Sequence, residues 1–379
     1  MAVLDDLADE IAALLHAPCT IESLDFDLLA FSGQGDAVDE VRRRSILERG
    51  STPEVRAWFD AQGIRAATSP VRIPGDAARG IVTRLLVPAV HLGRAQAYVW
   101  LLDPDAAIDP ALWPEAARLA ESVGRLLHLM ERRQDHRDEL YRAVVEGTPQ
   151  TAAEAAADLA AAAGLRLDEP VRCVVVERPA LAEQLASRPP RPGVVWVREL
   201  EGASTAVVRS GAVRLDAGVG GLLAGLGLGL GRRLPDVDAA TRVGVGPSVG
   251  SLDDLARSRS GALVALRVAS PTPSGALASW DELGPLALLG VARADELRRT
   301  VVPSTVARLT AEAPDLARTA QVFLDAAGNV VTTAAELGVH RQTVYHRLRQ
   351  VEERTGLRLD DGADRLRLHL ALTLAPFLG

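Results

Sequence analysis

Lysine is missing from this chain: all 42 basic side chains among its 379 residues are arginine. That excludes a phosphate-binding loop, whose glycine run must end in Gly-Lys-Ser/Thr, so the run Gly225-Leu226-Gly227-Leu228-Gly229-Leu230-Gly231 reads as a flexible or closely packed turn. Cysteine is almost missing too. Cys19 and Cys173 are the only two and lie far apart, which excludes a disulfide framework and a cysteine metal pattern and fits a reducing compartment. A long charge-free apolar run is also lacking. Residues 213–230 contain Arg214, Asp216 and many glycines, a poor membrane span. Residues 1–15 place acids before a short apolar pattern, where a signal peptide needs a basic region and a longer apolar core. A cytoplasmic protein without a membrane partner is expected. Nor do acids, histidines or metal ligands cluster at catalytic spacing, so no catalytic residue, cofactor or metal is assigned.

What is present is ordinary globular composition, 48% hydrophobic and 24% charged, at a length suited to two or three domains. The net charge of −8 is uneven. Residues 315–379 hold eight arginines and eight acids, so the excess negative charge lies upstream. An acidic body joined to a locally positive face is compatible with DNA binding that is weak on non-specific sequence.

That positive face lies near the C-terminus, where two short helical patterns meet at Gly338. Asn329 is a good N-cap for the first, over residues 330–337; a capping box from Thr333 to Glu336 would leave barely one turn. Gly338 can take the left-handed conformation that ends one helix and swings the chain into the next. The second pattern carries Val344, Leu348 and Val351 at i, i+4, i+7 and stops at Gly356. This is the plan of a helix-turn-helix, whose second helix is offered to a DNA major groove.

At about 100° per residue, with Val344 at the centre of the buried face, Gln342, His346 and Arg349 point away from it. Tyr345 and Thr343 sit on the shoulders, and Arg341 and Arg347 flank the apolar row. Between Arg341 and Gln350 there are three arginines and no carboxylate, and Glu352 and Glu353 then end the positive stretch. An outward Arg can bond guanine and Gln can bond adenine. Arg341, in the first turn, reaches a base on the same argument, and Arg347 is better placed for a phosphate or a partner within the domain. The expected DNA-contacting set is Thr333, His340, Arg341, Gln342, Thr343, Tyr345, His346, Arg347 and Arg349.

The segment His340-Arg341-Gln342-Thr343-Val344-Tyr345-His346-Arg347-Leu348, with Gly356 and the leucines of Arg365-Leu366-Arg367-Leu368-His369-Leu370-Ala371-Leu372, resembles the C-terminal domain of PucR/CdaR-type bacterial transcriptional regulators. The turn and second helix are also similar to the nucleoid protein Fis. The likeness runs from about residue 283 to the end. Family members usually have Asn where this chain has Gln342 and Tyr where it has His346, which bears on sequence preference rather than on the mode of binding. The resemblance implies a cytoplasmic regulator binding double-stranded DNA as a homodimer or higher assembly.

Residues 1–131 read as helix, hairpin (19–24 and 26–31), helices (38–48 and 53–62), hairpin (84–102) and long helix. That order is similar to GAF/PAS-like domains, which often hold a small molecule on the sheet. Trp58, His91 and Trp100 could line such a pocket for an effector; core packing for the tryptophans and a structural place for the histidine are the alternatives. The long helix repeats Ala116, Leu119, Val123, Leu126, Met130, Arg133, Arg137, Leu140 and Val144 at 3,4 spacing. This reads either as a dimer-forming or signal-carrying seam weakened by its two arginines, or as packing on its own domain.

From residue 148 a second α/β unit follows, with helices at 151–163 and 180–186. Strands at 171–176, 194–197 and 205–208 and a strand and turn over 242–251 accompany a helix capped by Ser251. The order resembles the degenerate GGDEF-like domain in the middle of PucR/CdaR regulators. A working diguanylate cyclase carries two glycines and two adjacent carboxylates on its hairpin turn. The turn here, Glu201-Gly202-Ala203-Ser204, has one of each, so cyclase activity is rejected.

The expected architecture is multidomain, α+β followed by all-α. A GAF/PAS-like α/β sensor occupies 1–131, a linker helix 132–148 and a degenerate GGDEF-like α/β domain 149–272. A helical connector fills 273–314, and an all-α helix-turn-helix domain, its first helix capped by Asp315, fills 315–379. Two other classes remain: a scaffold or anti-regulator whose helix-turn-helix binds protein, and a nucleotide-binding enzyme.

Overall fold

The computed structural model describes residues 2–33, 39–48, 50–177, 193–199, 203–212, 214, 218–228, 241–270, 272 and 275–378. They fall into two compact units, one of the described residues up to Arg142 with the segment 196–199, the other made by the remaining described residues.

In the first unit, helix α1 (Ala2–Leu15) buries Leu4, Ala8, Ile11 and Leu15, one stripe at helical spacing. Strands β1 (Cys19–Glu22), β2 (Leu28–Phe31), β3 (Val71–Ile73), β4 (Arg84–His91) and β5 (Arg94–Leu102) form an antiparallel sheet in the order β2-β1-β5-β4-β3. Strand β3 is an addition to the two hairpins expected. Helices α2 (Glu40–Glu48) and α3 (Pro53–Ala61) lie between β2 and β3, and α4 (Trp113–Glu146) follows β5. The two-residue turn of the second hairpin has left-handed Leu92 and Gly93 (φ 50° and 75°), the twist that a tight hairpin needs.

The long apolar runs of β4 and β5 are explained by cover on both faces. Leu85, Val87, Ala89, Ala97, Val99 and Leu101 pack on α1 and on Ala116, Ala120 and Val123 of α4. The alternate residues Leu86, Tyr98 and Trp100 join Phe26, Phe59, Ile64, Ile73 and Ile81 on the other side. Thus Ala116 and Val123 of the expected seam are spent inside this unit, and Leu119, Leu126, Met130 and Leu140 are half-buried while Arg133 is exposed. Further along α4, Gln134 Nε2 donates to the Trp196 carbonyl at 2.9 Å, and Asp138 accepts from Arg198 N at 3.1 Å and Nε at 2.7 Å.

The second face also buries charge. Arg84 Nη2 donates to both oxygens of Asp39 at 2.9 and 2.7 Å, and Asp39 accepts from the backbone N–H groups of Arg42 and Val82. Arg42 donates to the carbonyls of Pro18 and Trp100 at 3.2 and 3.1 Å.

In the second unit, α5 (Pro149–Ala163) is capped by Thr148 and ends at left-handed Gly164. Strands β6 (Val171–Glu177), β7 (Val194–Arg198, which passes into the first unit at Trp196), β8 (Ala203–Arg209), β9 (Arg242–Val245) and β10 (Ala276–Ser279) take the order β10-β9-β6-β8-β7. Strand β10 pairs parallel to β9, so the sheet reaches into the stretch expected to be a helical connector. A short helix, α6 (Gly218–Leu223), precedes β9, and α7 (Leu255–Val268) lies on the sheet. The approach of α7 requires glycine at Gly244, where a Cβ would stand 2.0 Å from the Ala262 carbonyl oxygen. Ser251 does not cap α7 as expected: a 3-10 turn (Leu252–Asp254) intervenes, and its hydroxyl donates instead to the Leu167 carbonyl at 2.9 Å. The expected helix at 180–186, the turn residues Glu201 and Gly202, and Gly229 to Gly231 lie outside the described residues.

The chain continues through α8 (Ala294–Val301), α9 (Ser304–Glu312), α10 (Pro314–Asp325), α11 (Val330–Leu337), α12 (Arg341–Thr355) and α13 (Gly362–Leu374). Helix α10 starts at Pro314 with Ala313 as its N-cap, and Asp315 falls in its first turn rather than at the cap. One apolar cluster runs from Ala265 and Val268 of α7 through Leu289, Leu297 and Leu309 to the helices at the end of the chain. No helix among the described residues is long and apolar enough to cross a membrane.

Burial holds the Glu22 carboxyl up at about 7 against an ordinary 4.5, with Arg42, Arg84 and Arg56 pulling the other way. A carboxyl whose pKa is higher folded than unfolded contributes its stabilisation below about pH 4.5 and loses it as pH rises through about 7. Glu22→Gln is therefore expected to stabilise the fold at about pH 8 by on the order of 3 kcal/mol or less, seen as a higher melting temperature, and to leave it unchanged near pH 4.5. Melts of both proteins at the two pH values check this, and an equal gain at both contradicts it.

Candidate nucleic-acid interface

The turn between α11 and α12 is built from local signals. Asn329 Oδ1 accepts from the backbone N–H groups of Val331 and Thr332 at 2.9 and 3.1 Å. Gly338 ends α11 at φ 64°, where a side chain would be strained. His340 is the N-cap of α12, its Nδ1 accepting from the Gln342 N–H at 3.3 Å, and Gly356 closes the helix at φ 72°.

Beneath α12, Val344, Leu348 and Val351 are buried among Leu316, Ala320 and Phe323 of α10 and Leu368, Ala371 and Leu372 of α13. Above, Arg341, Gln342, Tyr345, His346 and Arg349 are exposed, with His340 beside them. Tyr345 is 55% exposed, a large aromatic surface given to solvent. Arg341 and Arg349 enter no ion pair among the described residues. Of the acids that could compensate them, Glu336 pairs with Arg318 at 3.6 Å, and Glu352 accepts from the Leu359 N–H at 2.8 Å. The Gln350 amide lies 3.1 Å from the His346 ring nitrogen.

One expected contact stands elsewhere, and another is shared with the domain. Thr333 is fully buried, its hydroxyl donating to the Asn329 carbonyl at 2.7 Å, so it is a packing residue of α11 and cannot touch a duplex in this conformation. Arg347 is half-buried, and its Nη1 donates to Thr319 Oγ1 at 3.3 Å, which is the partner within the domain. Beside Arg347 lies a shallow groove of about 470 Å³ where the start of α10 meets α12. Glu312, Asp315, Thr343, His346, Gln350 and Arg354 line it. Gln350 and Arg354, outside the expected set, continue the row of His346 and Arg347 at helical spacing.

The proposed effector residues do not share one pocket. Trp100 is 1% exposed, with Phe59 at 4.7 Å between ring centroids, and half-buried Trp58 meets the same Phe59 edge-on at 4.9 Å. The Trp100 indole N–H has no hydrogen-bond partner among the described residues. His91 is not with them. It lies five residues along β4 from Leu86, the strand neighbour of Trp100, or about 17 Å at the usual strand rise. There its ring faces His128 instead.

The fold and this surface define a helix-turn-helix protein. Residues 316–374 match the model of the PucR C-terminal helix-turn-helix domain, and residues 146–268 match that of a GGDEF-like domain. The chain thus carries a helix-turn-helix domain of the PucR C-terminal type and, ahead of it, a GGDEF-like domain. Among curated proteins it is similar to the DNA-binding transcriptional activator AdeR of Bacillus subtilis, 27% identical over 104 residues. That match spans 26% of this chain and only 25% of AdeR. Among solved structures, the regulator of polyketide synthase expression from Bifidobacterium adolescentis is 20% identical, covering 64% of this chain and 98% of that one at a TM-score of 0.27. PelD from Pseudomonas aeruginosa is 13% identical, covering 64% of this chain and 81% of that one at 0.21.

Because Asn329 ties down two N–H groups of α11, Asn329→Ala should cost about 1 kcal/mol of stability in urea denaturation. Exposed Thr332→Ala should stay within about 0.5 kcal/mol. Equal stability of the Asn329 variant and the parent would show that the cap contributes nothing.

Proposed function

We propose that this chain is a DNA-binding transcriptional regulator that lays α12 in the major groove as a dimer or larger assembly. Its binding would be adjusted by a signal taken up in the N-terminal unit. The observation that carries the reading is the division of α12 into an apolar underside and an arginine-bearing upper side without a compensating carboxylate. Arg341 and Arg349 suit guanine edges, Gln342 suits adenine, and Tyr345 and His346 stand between them. Thr343 and Arg347 lie on the flank, where a phosphate strand passes. A two-fold dimer would need half-sites about 10 bp apart, or a multiple. The description of AdeR supports the same direction. The buried Trp100 N–H left without a partner favours a small effector carrying a hydrogen-bond acceptor at that face of the sheet. The GGDEF-like domain serves transmission or assembly rather than catalysis.

Arg349→Ala is expected to relax preference at a single base pair by about 1–3 kcal/mol, as read by selection of bound sequences. Arg347→Ala should weaken all sequences alike. Parent affinity should fall steeply with ionic strength through release of counterions. Identical preference profiles for Arg349→Ala and the parent would refute the facing of α12, and affinity indifferent to salt would favour a protein partner.

A further inference from the structure

The paired histidines on the first unit belong to no part of the reading above. Strand β4 carries a bulge between Ala89 and Val90, which re-aims the residue that follows. At the same place α4 touches the strand backbone to backbone: a Cβ on Gly124 would stand 2.7 Å from the Ala89 carbonyl oxygen. One helical turn beyond Gly124 comes His128, and one residue beyond the bulge comes His91. Close approach at Gly124 therefore brings the two imidazoles together, with centroids 5.1 Å apart and planes inclined by 49°. Both are half-buried.

The geometry points to a binding site for a divalent transition-metal ion of the zinc type, held by His91 and His128. A zinc–nitrogen bond is about 2.0–2.1 Å and an imidazole nitrogen lies about 1.1 Å from its ring centre, so an ion stands about 3.2 Å from each centroid. Two rings on a tetrahedral ion then have centroids about 5.2 Å apart, close to the observed 5.1 Å. Neither ring has a hydrogen-bond or ion-pair partner among the described residues to compete for its nitrogens. No group of three or more His, Cys, Asp or Glu able to hold an ion occurs among them, so water completes the shell. Such a site is open and exchangeable, unlike a closed four-ligand structural one. Imidazole as the sole protein donor selects zinc, copper or nickel over magnesium or calcium. An ion here would pin the middle of α4 to the end of β4, and the inference does not depend on DNA binding.

Zinc alone, titrated calorimetrically into the full chain in chelator-free buffer, tests the site, with the melting temperature as a second readout. The expected result is one ion per chain and a raised melting temperature. His91→Ala and His128→Ala should each weaken binding by about tenfold or more, while His136→Ala, exposed on the same helix, should leave it unchanged. No binding by the parent, or undiminished binding by either single variant, overturns the site.

Discussion

Burial of Val344, Leu348 and Val351 fixes the rotation of α12 about its own axis, and the rest of the interface depends on that rotation. A helix with one stripe sunk into α10 and α13 has no freedom in what it shows to solvent. Removing those apolar side chains from water also holds two arginines outward without a carboxylate to neutralise them. Left-handed Gly338 sets how α11 enters this arrangement, and the Asn329 cap keeps so short a helix from fraying. Arg347 marks the boundary, since its guanidinium turns back to Thr319 and so belongs as much to the domain as to its surface.

The N-terminal unit solves a different problem. Its sheet is covered on both faces, one by α1 and α4, the other by aromatic residues and a buried set of ions. Asp39 is the organising group of that set, accepting from Arg84 and from two backbone N–H groups. These bonds tie the start of α2 to β4 and to the segment before it, even where the pair's net contribution to stability is small. Helix α4 runs on from that sheet, its first turns packed on β4 and β5 through Ala116, Ala120 and Val123.

Much of the interface was legible in the sequence because its signals are local. Asn329, Gly338, Gly356 and the i, i+4, i+7 row each act within a turn or two of their own position. Thr333 was not legible: in an eight-residue helix, the neighbours that cover a residue come from elsewhere, and only α11's placement shows it buried. Strand β3 was hidden between Pro70 and Pro74, three residues whose identity as a strand comes from pairing with β4. Strand β10 was hidden likewise, since its parallel partner β9 lies more than thirty residues upstream. His91 and Trp100 sit on one hairpin, yet the length of β4 puts them at opposite ends of it. The heptad spacing of α4 was real but ambiguous, for Ala116 and Val123 satisfy it against their own sheet.

The claim that α12 reads a duplex from its major groove is tested most directly by dimethyl sulfate modification of bound DNA. The reagent reports guanine N7 on the major-groove side and adenine N3 on the minor-groove side. Protection of guanine N7 within each half-site, lost together with binding, is the predicted result. Protection confined to adenine N3, with guanine N7 as reactive as in free DNA, would contradict the account.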